Sequence, residues 1–102
     1  MIYLSQTDVL EMGVTMTEVI NLVEKGLHEH GKGCVENPPK PGIHAYPNSF
    51  IHAMPAYFKN LGMGGIKWVS GYPANREIGL PQIIGLIILN DMKTGAPVCV
   101  MD

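Results

Sequence analysis

Ile83-Ile84-Gly85-Leu86-Ile87-Ile88-Leu89 is the longest apolar run in the chain, and its reading decides the fold. It is far shorter than the ~20 residues a helix needs to cross a bilayer. Nearly continuous β-branched and aliphatic sequence suits a strand buried on both faces. Just upstream, Gly64-Gly65-Ile66-Lys67-Trp68-Val69-Ser70 alternates, with Ile66, Trp68 and Ser70 pointing one way and Lys67 and Val69 the other. Between the two, Gly71–Pro81 reads as a long loop. Downstream, Asn90–Pro97 is a turn and Val98–Met101 begins a returning strand. Ser49–Tyr57 is a further strand, broken or bulged at Pro55. Before it, Pro38, Pro39, Pro41 and Pro47 forbid a helix and stiffen an extended lead-in.

The first third has a different texture. Ser5 with Asp8 caps a short helix carrying Val9, Leu10 and Met12, which Gly13 stops. Thr15 with Glu18 is a second capping box, opening a longer helix that ends at Gly31 and Gly33. Met16, Val19, Ile20, Val23 and Leu27 share one face of it, and Glu24, Lys25 and Glu29 are its solvated side. Met12, Met16, Met54 and Met63 read as core filler. The expected class is α+β: two N-terminal helices packed on a mixed or antiparallel sheet.

A length of 102 residues with 46% hydrophobic and 16% charged residues is one domain, or part of a larger one. It excludes a disordered tail and two full cores. A net charge of −2 argues against a nucleic-acid partner. No basic region leads an apolar stretch at the N-terminus, so neither a secretory signal nor a membrane partner is expected. Cys34 and Cys99 are too few for a disulfide framework and fit a reducing, cytoplasmic setting. The charge is unevenly spread. Residues 1–36 hold six carboxylates against Lys25 and Lys32, whereas residues 37–90 hold Lys40, Lys59, Lys67 and Arg76 against Glu77 alone. That contrast points to an anion-binding surface in the middle of the chain, although scattered solvated cations give the same count.

Most chemistry-bearing motifs are missing. His28 and His30 sit two apart on a helix and cannot share a metal, His44 and His52 are isolated, and no metal site is expected. Gly62-Met63-Gly64-Gly65 lacks the GxGxxG pattern and precedes a strand, whereas a dinucleotide loop follows one and opens a helix. No Ser or Cys lies in a nucleophile motif. Lys67 stands out, because an ammonium amid apolar residues is costly unless paired or hydrated. It reads as an edge-strand guard, a snorkelling side chain, a cation that meets an anionic substrate group, or a lysine with a depressed pKa.

Taken together, several segments resemble the ornithine cyclodeaminase/mu-crystallin family. They are Met54-Pro55-Ala56-Tyr57, Gly65-Ile66-Lys67-Trp68-Val69-Ser70-Gly71-Tyr72-Pro73-Ala74-Asn75, Gly79-Leu80-Pro81 and Gly85-Leu86-Ile87-Ile88-Leu89-Asn90-Asp91. The opening residues, Leu4 to Gly33, resemble that family's N-terminus, so the likeness covers essentially the whole chain. Each motif alone is weak, but their order and spacing are specific.

The resemblance implies that residues 1–102 are part of the family's N-terminal substrate-binding and dimerisation domain. Members are about three times as long and carry a Rossmann domain for NAD or NADP, absent here. The family's general-acid aspartate and a carboxylate-holding arginine would lie beyond Asp102, where the chain stops as its last strand ends. Lys67 matches the family lysine at the substrate, near the carboxylate and the reacting carbon, and is the expected catalytic and substrate-binding residue. Lys40 falls where several relatives have a carboxylate-gripping arginine; it keeps the charge but loses the bidentate fork. Gln82 falls where the cyclodeaminase has a threonine close to the nicotinamide, which puts strict ornithine chemistry in doubt. The implied protein is a homodimeric oxidoreductase or lyase acting on an α-amino or α-imino acid: cyclodeaminase, amino acid dehydrogenase or ketimine reductase. A non-catalytic crystallin-like ligand binder and a purely structural dimerisation module are the alternatives.

Overall fold

The computed structural model describes residues 1–102. The elements in chain order are β1 (Ile2–Leu4), α1 (Gln6–Glu11), α2 (Met16–Gly31), β2 (Val35–Glu36), β3 (Gly42–Ile43), β4 (Phe50–Phe58), β5 (Met63–Gly71), a 3-10 helix (Pro73–Ile78), β6 (Ile83–Asp91) and β7 (Pro97–Met101). The strands make one mixed sheet in the order β1-β7-β6-β5-β4-β2, with β3 also pairing along β4. All pairs are antiparallel except β1 with β7. This is the α+β class that the sequence predicts.

Both predicted caps form. The Asp8 backbone N–H donates to Ser5 Oγ at 3.2 Å, and the Ser5 N–H donates back to the Asp8 carboxylate at 2.8 Å. Thr15 and Glu18 repeat the arrangement at the start of α2. The face that α2 turns to the sheet carries Val19, Leu22, Val23, Gly26 and Leu27. Met16 and Ile20, expected on that face, do not line the space beneath the helix, and even the residues that do remain largely exposed. Gly26 allows the approach, since a Cβ there would stand 3.2 Å from Phe58 Cε1.

Several expectations need correction. β4 runs unbroken through Pro55, which pairs in register with Ile66. The Ala53 N–H on the same side as Pro55 donates outward to the Pro41 carbonyl. Pro55 therefore turns its missing donor toward the gap between β3 and β2, where no strand needs one. The loop expected over Gly71–Pro81 contains the 3-10 helix, which begins with a proline at its first position and stops at Gly79 with φ +74°. β1 has no counterpart in the sequence reading. It is held by parallel pairing of Ile2–Leu4 with Cys99–Met101, a contact across nearly the whole chain.

The largest correction concerns burial. Only five residues are buried, Val69, Cys99 and Ser49 among them. Met12, Met16 and Met63 are exposed instead of filling a core. β6, expected to be covered on both faces, leaves Ile83, Ile84, Leu86 and Ile87 between 39% and 56% accessible. The physical reason is a missing layer: α2 overlies part of one sheet face, and α1 packs beside β1 at the sheet's end.

Candidate substrate-binding face

Lys67 lies at the middle of β5, directly between Met54 of β4 and Ile87 of β6. Because side chains alternate along a strand, the same face carries Ala56, Gly65 and Leu89 on one side of that rung and His52, Val69 and Gly85 on the other. β5 has a strand on each flank, so Lys67 does not guard an edge. A cavity of about 590 Å³ opens between α2 and this face, with Lys67, His30 and Asn37 the polar side chains in an otherwise apolar lining. No carboxylate lines it. The ion pairs of the chain are Lys32–Glu29 and Lys59–Glu36, so neither Lys67 nor Lys40 has an acidic partner.

His52 is the next residue of β4 on the same face as Met54. Its ring stacks on Phe50 with centroids 4.3 Å apart and meets His44 edge-on at 6.4 Å. Partial burial, the nearby Lys40 ammonium and the His44 ring, in that order, hold its imidazole below the ordinary range. The loop from β3 to β4 is pinned by buried Ser49, whose hydroxyl accepts the Tyr46 N–H at 3.0 Å and donates to the Tyr46 carbonyl. Asn48 takes the left-handed turn position, φ +57°, that asparagine tolerates. A shallow cavity of about 540 Å³ over this loop is lined by His44, Tyr46, Ser49, Phe50 and His52.

The fold sets Lys67 on this sheet face, whereas Lys40 lies in the lead-in to β3 and lines neither cavity. Nor does the fold bring Gln82 to that face. Gln82 is half-buried in the bend before β6, where its carbonyl accepts the Tyr72 N–H at 2.9 Å. It lies five residues along the chain from Ile87, about 17 Å of extended strand. The sequence reading passed over His52 as an isolated histidine. The signal that finds it is the two-residue period of His52, Met54 and Ala56.

The chain's own glycines do not build a dinucleotide cradle. Gly62, with φ +60°, turns the hairpin from β4 into β5, and Gly64 and Gly65 lie within β5. A Cβ on Gly65 would collide with the Ile88 carbonyl oxygen, so this glycine serves close approach between strands. The element that follows β5 is a six-residue 3-10 helix opening on a proline, not an α-helix whose N-terminus could hold a pyrophosphate.

Comparison with known proteins agrees with this fold. The chain is 46% identical over 100 residues to the nodulation efficiency protein NfeD of Rhizobium meliloti, covering 98% of this chain and 31% of that one. The structure of Thermococcus litoralis Δ1-pyrroline-2-carboxylate reductase, in complex with NADH and L-proline, superposes with a TM-score of 0.93 at 40% identity, over 99% of this chain and 31% of that one. An archaeal alanine dehydrogenase dimer with bound NAD gives a TM-score of 0.90 at 37% identity, over 99% and 30%. Residues 1–102 therefore span about a third of the length of these relatives. The family model for ornithine cyclodeaminase/mu-crystallin matches residues 2–102. With an unpaired lysine at the centre of the shared sheet and the fold of its NAD(H)-bound relatives, the chain belongs to the ornithine cyclodeaminase/mu-crystallin family.

Proposed function

We propose that residues 1–102 form the substrate-side domain of an NAD(P)-dependent oxidoreductase that acts on an α-amino or α-imino acid. The observation that carries this reading is Lys67: a cation with no acidic partner, set in an apolar face and open to a cavity. Such a group is stabilised by an incoming anion far more than by water-exposed neighbours, and an α-carboxylate is the anion that amino and imino acids share. Lys67 and Lys40 hold that carboxylate as point charges, while Met54 and Ile87 beside Lys67 exclude water from the α-carbon. This chain's share is binding and orientation. With no dinucleotide cradle of its own, it contributes no redox step.

Pairing of two copies is part of the proposal. The sheet face opposite Lys67 presents Trp68, Ile84 and Leu86, each 44% exposed or more, with no helix over them. The alanine dehydrogenase relative is a dimer. A patch of this kind on a folded chain ordinarily meets a partner.

A chimera tests the functional reading. Residues 1–102 would replace the matching third of the Thermococcus litoralis reductase, to which they are 40% identical. Turnover of a cyclic imino acid or an α-amino acid with a nicotinamide cofactor is the expected result. A folded chimera that binds the cofactor but turns over no amino or imino acid would contradict it.

A further inference from the structure

We propose that β3, with the lead-in and loop on either side of it, is a strap that acid releases: protonated His44 and His52 drive apart and lift Gly42–Ile43 off β4. The strap uses neither Lys67 nor its cavity, and does not depend on that lysine meeting a substrate. Three observations carry it. β3 is held by little: Gly42 and Ile43 pair with His52 and Ile51 of β4, and the Ala53 N–H donates to the Pro41 carbonyl at 3.1 Å beside them. The His52 ring lies on the strap itself, since a Cβ on Gly42 would collide with its Cδ2 and stand 2.9 Å from its Nε2. His44, just past the end of β3, meets the same ring edge-on with centroids 6.4 Å apart, while Phe50 stacks on it at 4.3 Å. Release frees one wall of the shallow cavity of about 540 Å³ over the loop.

Neutral imidazoles suit this packing and imidazolium ions do not. A charged His52 calls for water or an acceptor at both ring nitrogens, and the backbone of Gly42 lies close against Nε2. Two positive rings 6.4 Å apart also fall within the ~8 Å Debye length of physiological salt, so their repulsion is only partly screened. The other charged or titratable groups about His52 are Lys40, two residues before Gly42, Tyr46 of the loop, and Lys67 on the same sheet face of β5. No carboxylate lines the cavity shared by His44, Tyr46 and His52, and the ion pairs of the chain lie elsewhere. The strap therefore has no acidic partner to neutralise the added charge. Burial first, then Lys40 and His44, hold the docked His52 below the ordinary 6.5. Release lifts that restraint, so protons favour the released form. Opening begins as the pH falls through 6.5 and levels off below the docked midpoint.

Amide hydrogen exchange of the 102-residue chain, followed by NMR at about pH 7 and about pH 5 and corrected for intrinsic rates, tests the strap. The Ala53 N–H reports docking, because its acceptor belongs to the strap, and the amides of β5 and β6 report the rest of the sheet. The expected result is lost protection at Ala53 on acidification, with protection in β5 and β6 retained and a His52 ring midpoint below 6.5. Each unit by which release raises a histidine midpoint corresponds to about tenfold in opening. His52→Gln and His44→Gln each remove one of the two charges. Both should hold Ala53 protection more nearly constant between the two pH values, His52→Gln more completely. Unchanged Ala53 protection in the parent chain overturns the proposal. So does a loss at Ala53 that β5 and β6 share in step, which is unfolding of the whole sheet. An undiminished loss in both folded variants overturns it as well. Where a variant fails to fold, the comparison of Ala53 with β5 and β6 in the parent chain decides alone.

Discussion

Lys67 was legible because an ammonium amid apolar residues is costly when buried; in the fold its side chain is exposed and that cost is not incurred. A lone cation in an apolar alternating strand has few structural uses, and central placement in the sheet removes the edge-guard use. Lys40 was legible only through the family resemblance, because nothing in a proline-rich lead-in marks one lysine as special. His52 was present in the same pattern as Met54 but was overlooked, because its ring partner His44 comes from a segment that pairs with β4 only once the chain has folded. Glycine supplies the sharpest residue-scale prediction. Gly65→Ala drives a methyl group into the Ile88 carbonyl, and backbone cannot yield as a flexible side chain can. The variant should lose about 1–3 kcal/mol of stability in chemical denaturation, the scale of overpacking. Lys67→Met, by contrast, removes an exposed charge with no partner and should leave stability within about 0.5 kcal/mol.

At the scale of elements, what was local could be read and what was long-range could not. Each helix start is fixed by residues three apart, so Ser5/Asp8 and Thr15/Glu18 showed directly in the sequence. The strands β4 to β7 follow from hydrophobic pattern. β1 does not, since three residues become a strand only through pairing with the far end of the chain. Pro55 was misjudged for a related reason: whether a proline breaks a strand depends on which neighbour its missing donor faces. The caps give a prediction with a definite sign. The Thr15 backbone N–H first, and then its hydroxyl, hold the Glu18 carboxyl below its ordinary 4.5; the Ser5 hydroxyl and then backbone hold Asp8 below 3.8. A lowered folded-state value means stability that is present at neutral pH and lost as the pH falls through it. Far-UV circular dichroism should therefore show helix loss beginning below about pH 4.5. Thr15→Ala should weaken α2 by about 1 kcal/mol at neutral pH and blunt that acid step.

The whole molecule is an open sheet with a helix standing off one face. Its Cα radius of gyration is 15.5 Å, against about 13 Å for a closed domain of this length. The sequence promised a strand buried on both faces, and the fold supplies that strand without the layers to cover it. Burial was legible as hydrophobicity, but these residues supply no second layer over β6 to carry it out. Light scattering at micromolar concentration should accordingly find the chain self-associated, and a well-behaved monomer would count against pairing through the Trp68 face. The isolated chain should also turn over no amino acid with added NAD(H) or NADP(H), since its glycines lie in a hairpin and a strand. The central claim is that Lys67 holds the substrate carboxylate, and the most direct measurement is kcat/KM of the Thermococcus chimera with and without Lys67→Met. The account predicts a loss on the order of 2–4 kcal/mol in transition-state stabilisation, with the fold and cofactor affinity intact. Kinetics within a few-fold of the parent chimera would contradict it and leave Lys67 a solvated side chain of the sheet.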